Sequence, residues 1–210
     1  MNNSLTKENI SLKNSLQSKI ILLNIIIKPC FNFGIVTKKD SPKEYFASSV
    51  LNKIYSLNVS LENVLLTNDV FLSVYLYRYI YELYTKVFYI FSGGSEDEIL
   101  SRLSNFFINK DLKITEYQEG INDDFIPARF KEGHKEKYKT MSRFAHPNVE
   151  SFNMHMNTTP DKQFGFLIPN INLAMWHNIE IIKLFSNAKL LGFDRSINKE
   201  YLEGLQNEGE

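Results

Sequence analysis

Apolar residues recur along this chain mostly at intervals of three or four, the spacing that places side chains on one face of a helix. The densest stretch, residues 70–91, reads VFLSVYLYRYIYELYTKVFYIF and is apolar or aromatic at almost every position. Alternating tyrosines between positions 75 and 81 would also suit a strand, but an unbroken strand of 22 residues is improbable. We therefore predict a helix, and because it is apolar on nearly all sides we expect it at the centre of the fold.

Two capping boxes predict where neighbouring helices begin. Ser41 and Glu44 have the serine–glutamate spacing of a capping box, with Pro42 at the position that suits the first residue of a helix. Ser95 and Glu98 repeat the same spacing after the central stretch. The first box predicts an amphipathic helix, and the second predicts a shorter helix that ends near residue 109.

The two ends of the chain predict one further long helix each. Residues 4–27 change from polar to apolar and favour a helix that Pro29 then breaks. Towards the other end, residues 164–168 favour a short extended piece. Asn170 follows and can cap a last long helix that ends at Leu191.

These elements predict an all-α fold, a single-domain bundle of five to seven helices around a central aromatic-rich helix at about 68–92. A chain of 210 residues is the size of one domain, so residues 1–210 form a single helical domain. Within it we expect residues 1–40 to be a peripheral helix and loop, and residues 206–210 to be a frayed tail.

The amino-acid composition argues against several classes of function. The 24 basic and 24 acidic side chains cancel, so the whole molecule lacks the positive field of a general nucleic-acid binder. Cys30 is the only cysteine, which excludes an intrachain disulfide and argues against a thiolate metal site. Residues 20–27 are too few to span a bilayer, and residues 70–91 carry three charges that oppose insertion. We predict a cytoplasmic protein with no membrane span, no cofactor and no metal.

Arg78, Glu82 and Lys86 lie four residues apart in the central stretch, which aligns them along one face of the predicted helix. Charges inside a protein must be paired, so the spacing predicts a polar seam. This seam has two interpretations. It is either a structural network that holds the bundle in register or the lining of a ligand pocket.

A second polar face combines Tyr138, Ser142 and His146, again four residues apart, with Arg143 beside them. Pro147 places His146 at a helix end, where the helix dipole favours the charged imidazole. A phenol, a hydroxyl and an imidazole in line suit acid–base or nucleophilic chemistry. The alternative is a polar face at a contact between two helices.

The segment 129–146 is basic, with six lysines and arginines against two glutamates, and aromatic residues lie between them. This combination is typical of a phosphate-binding patch and predicts RNA as a partner. The alternative is an ordinary solvated helix face.

Two of these motifs together resemble a bacterial family of helical proteins of unknown function. They are R-x-x-x-E at Arg78 and Glu82, and Y-x-x-x-S-x-x-x-H-P beginning with Tyr138, Ser142 and His146. That family is similar in outline to HEPN domains, compact helical bundles found in toxin–antitoxin and abortive-infection systems. The resemblance implies a helical fold and a role in a bacterial defence or toxin–antitoxin system.

Many HEPN proteins are metal-independent RNases with an R-x(4–6)-H motif, and Arg129 and His134 have that spacing. The resemblance thus implies RNA cleavage, in which an arginine stabilises the phosphate charge and a histidine moves the proton. His146 is the first candidate, with Arg143 and Arg78 as charge stabilisers.

Two other functions stay open beside the RNase. One is a non-catalytic binding or scaffold protein, with a protein partner or a second copy, whose arginine, glutamate and histidine network is structural. The other is a small-molecule-binding or hydrolase pocket around Arg78, Glu82, Ser142 and His146.

Overall fold

The computed structural model describes residues 5–31, 41–91, 94–111 and 159–190 of the chain. Every regular element in these ranges is an α-helix, which confirms the all-α prediction and the lower bound of five helices. In chain order the helices are α1 (Lys7–Phe31), α2 (Pro42–Thr67), α3 (Val70–Phe91), α4 (Glu96–Asp111) and α5 (Pro160–Asn187).

The aromatic stretch forms α3, which packs along α5 and also contacts α2 and α4, as expected of a central helix. Asp69 caps its first turn, since the Leu72 N–H donates to Asp69 Oδ1 over 2.9 Å. Asn68, with φ of 56°, adopts the left-handed conformation that ends α2 and turns the chain into α3. Within the described ranges, no helix is both long and apolar enough to cross a membrane.

One of the two predicted capping boxes forms. The Ser95 N–H donates to Glu98 Oε2 over 3.0 Å, and the Glu98 N–H donates to Ser95 Oγ over 3.3 Å. This reciprocal pair is what begins α4. Pro42 is the first residue of α2, as predicted, but the Ser41 side chain makes no capping hydrogen bond. The backbone at Ser41, with φ of −145° and ψ of 77°, leaves only its carbonyl to accept the first helical bond, from Tyr45.

The predicted ends of α1 and α5 are wrong. Pro29 does not break α1, which continues to Phe31. The last helix begins at Pro160 rather than at Asn170, so residues 164–168 are helical rather than extended, and it ends at Asn187 before Leu191. Asn170 lies inside the helix, where its amide donates to Ser73 Oγ of α3 over 3.2 Å.

Burial explains why α5 starts early. Phe164, Leu167 and Ile171 are completely buried and follow one another at helical spacing, on both sides of Pro169. Proline inside a helix removes one backbone hydrogen bond and costs about 3 kcal/mol. Burying three large apolar side chains contributes roughly 1.5–3 kcal/mol each, which is enough to outweigh that cost.

Three asparagines form a hydrogen-bonded relay through the core, and each comes from a different helix. Asn178 of α5 donates to Asn58 Oδ1 of α2 over 2.8 Å, and Asn58 donates to Asn24 Oδ1 of α1 over 3.0 Å. Asn58 and Asn178 are fully buried. The relay therefore fixes the relative positions of α1, α2 and α5 through directional bonds, in addition to the apolar packing around it.

Candidate functional site

Arg78 and Glu82 form an ion pair within α3. Arg78 Nε donates to Glu82 Oε1 over 3.1 Å, and the two side chains are 24% and 37% exposed. The pair thus lies at the edge of the bundle, where solvent screens it, and not in the interior as the apolar surroundings in the sequence suggested. An i,i+4 pair with this exposure contributes about 0.3–0.5 kcal/mol.

Lys86 continues the same row and is half-buried, like Arg78 and Glu82. Burial lowers the pKa of its amine from the usual value, and the nearby negative charge of Glu82 opposes that change in part. The charged form of Lys86 is therefore less favourable in the folded protein than in the unfolded chain.

The structure adds one histidine that sequence reasoning missed. His177 of α5 is only 5% exposed, and its Nδ1 lies 2.6 Å from the carbonyl oxygen of Leu173, one turn earlier. A ring nitrogen at this distance must carry the proton and donate it to the carbonyl. In the sequence, His177 lies among apolar residues of a periodic helix. The signal that could have marked it is Glu180, three residues later and so on the same helix face.

Aromatic rings surround His177. The centroids of four rings lie within 6 Å of the imidazole centroid, and three of the four meet it edge to face. They are Tyr84 at 4.8 Å, Trp176 at 5.0 Å, Tyr81 at 5.3 Å and Tyr77 at 5.8 Å. We call these five residues the His177 cluster. Three of its side chains come from α3 and two from α5. The cluster therefore lies within the α3–α5 contact, the most extensive contact between two helices in the described structure.

The tyrosines of the His177 cluster are held in their neutral form. Burial raises the pKa of Tyr77, Tyr81 and Tyr84, and the charge of Glu180 raises that of Tyr84 further. The Tyr77 hydroxyl oxygen is buried and has no hydrogen-bond partner among the described residues. Neutral phenols can donate hydrogen bonds but do not supply the phenolate that a nucleophile or base would need.

The geometry favours packing over reaction chemistry at this position. A general acid or base must come within hydrogen-bond reach of its substrate, and His177 is enclosed by rings on several sides. Within the part of the chain that the structure describes, no three His, Cys, Asp or Glu side chains are grouped to hold a metal ion.

The other predicted site residues lie outside the described residues, so their convergence with Arg78 and Glu82 stays a prediction. They are Tyr138, Ser142, Arg143 and His146, and the alternative pair Arg129 and His134. The same holds for the predicted RNA-binding segment 129–146.

No protein-family model, curated protein or solved structure matches this chain. The resemblance to HEPN domains therefore rests on the sequence motifs alone.

Proposed function

We propose that this protein is a non-catalytic helical binding or scaffold protein, in which the Arg78–Glu82 pair supports α3 and His177 holds α3 and α5 in register. The observation that supports this most strongly is the enclosure of His177. It is 5% exposed, it is bonded to a carbonyl of its own helix, and it lies among four aromatic rings. Such a histidine stabilises an interface between helices.

The Arg78–Glu82 pair is consistent with the same role. The guanidinium donates along its own helix, an arrangement that supports α3 without any ligand. A catalytic arginine would instead direct its donors at the developing charge of a substrate.

A double-mutant cycle tests the structural role of this pair. We expect Arg78→Gln and Glu82→Gln each to lower the free energy of unfolding slightly, with a coupling of about 0.3–0.5 kcal/mol between them. The matched control is the Glu180–Lys183 pair of α5, an i,i+3 pair of similar exposure at 3.2 Å, which should give a similar coupling. A coupling near zero for Arg78 and Glu82 beside a normal one for the control would contradict the structural role.

A second candidate is a HEPN-like protein that acts on RNA in a bacterial defence or toxin–antitoxin system in the cytoplasm. It is favoured by the segment 129–146, which has a local charge of +4 and contains the R-x4-H spacing of Arg129 and His134. In this case His146, or alternatively His134, would move the proton while Arg143 stabilises the phosphate.

Separate histidine variants test this candidate. If it is correct, His146→Ala or His134→Ala abolishes RNA cleavage and cell toxicity while the melting temperature is unchanged. A wild-type chain that leaves single-stranded RNA intact, and whose expression does not slow growth, would rule it out.

A further inference from the structure

We draw no further inference here: the strongest candidate, the apolar surface patch formed by the exposed Ile21 and Ile25 of α1 and Val59 of α2, carries none because nothing in the described structure shows what covers it.

Discussion

Asn178 of α5 donates a hydrogen bond to Asn58 of α2 over 2.8 Å, and both side chains are fully buried. Because Asn58 also donates to Asn24, it is the middle member of a relay that joins three helices. A polar group in an apolar core is costly without partners, so the two hydrogen bonds of the relay favour one relative position of these helices. The relay thus supplies a specificity that apolar packing alone does not.

The first prediction concerns Asn58. Asn58→Ala should lower the free energy of unfolding by about 2–3 kcal/mol, because it leaves the buried amide of Asn178 without its acceptor. Asn24→Ala should have a smaller effect of about 1 kcal/mol or less, since Asn24 is only partly buried and water can replace it. Urea denaturation measures both. Equal losses of unfolding free energy in the two variants would show that burial does not set the contribution of each asparagine to stability.

A double variant sharpens this prediction. Replacing both buried amides, as in Asn58→Leu with Asn178→Leu, removes the two polar groups together. The double variant should therefore lose less stability than the sum of the single changes. Strict additivity would indicate that the two amides contribute independently.

The sequence predicts the fold well where the signal is local. Ser95 and Glu98 were recognisable as a capping box because a cap needs only a few adjacent residues. The start of α5 was missed because Pro169 opposes a helix locally, and only the burial of Phe164 against other helices overrides it. Long-range packing of this kind leaves no local signal.

In the candidate site, too, the local feature was predictable from the sequence and the long-range feature was not. The i,i+4 spacing of Arg78 and Glu82 was enough to predict that they face each other. The His177 cluster was not predictable, because its five rings come from α3 and α5, which are far apart in the sequence. Its formation depends on the register of those helices, and single-sequence periodicity does not specify that register.

The second prediction concerns His177. His177→Ala should lower the free energy of unfolding by about 2–4 kcal/mol, since it leaves a cavity among four rings. His177→Phe keeps a ring in place and loses only the bond to Leu173, so we expect a loss of about 1 kcal/mol. If His177→Phe is as damaging as His177→Ala, the imidazole has a role beyond packing.

The third prediction concerns the buried hydroxyl of Tyr77. Removing it with Tyr77→Phe should leave stability unchanged or raise it by about 1 kcal/mol, because the hydroxyl has no partner among the described residues. Because burial raises the pKa of Tyr77 in the folded protein, the unfolded chain ionises first, and the free energy of unfolding falls as the pH rises above 10. Tyr77→Phe should thus lose less stability than the wild type above pH 10. Thermal melts at pH 7 and above pH 10 measure this, and identical alkaline losses would contradict it.

The fourth prediction concerns Lys86. Burial lowers the pKa of Lys86 in the folded protein below 10.5, its value in the unfolded chain. The unfolded chain therefore binds the proton more tightly. Its unfavourable contribution is greatest at neutral pH and disappears as the pH rises towards 10.5. Lys86→Met should therefore raise the melting temperature at pH 7, and the gain should shrink as the pH approaches 10.5. A gain that is the same at both pH values would show that the charge of Lys86 is not its source.

The most direct test of the binding and scaffold function is the cleavage of labelled single-stranded RNA by the purified full chain in the presence of EDTA. Wild type and Arg78→Gln are compared in the same assay, with melting temperatures measured in parallel. If the Arg78–Glu82 pair and the His177 cluster are structural, neither protein cuts the RNA, and Arg78→Gln only lowers the melting temperature slightly. Cleavage by the wild type that Arg78→Gln abolishes, at an unchanged melting temperature, would contradict the account.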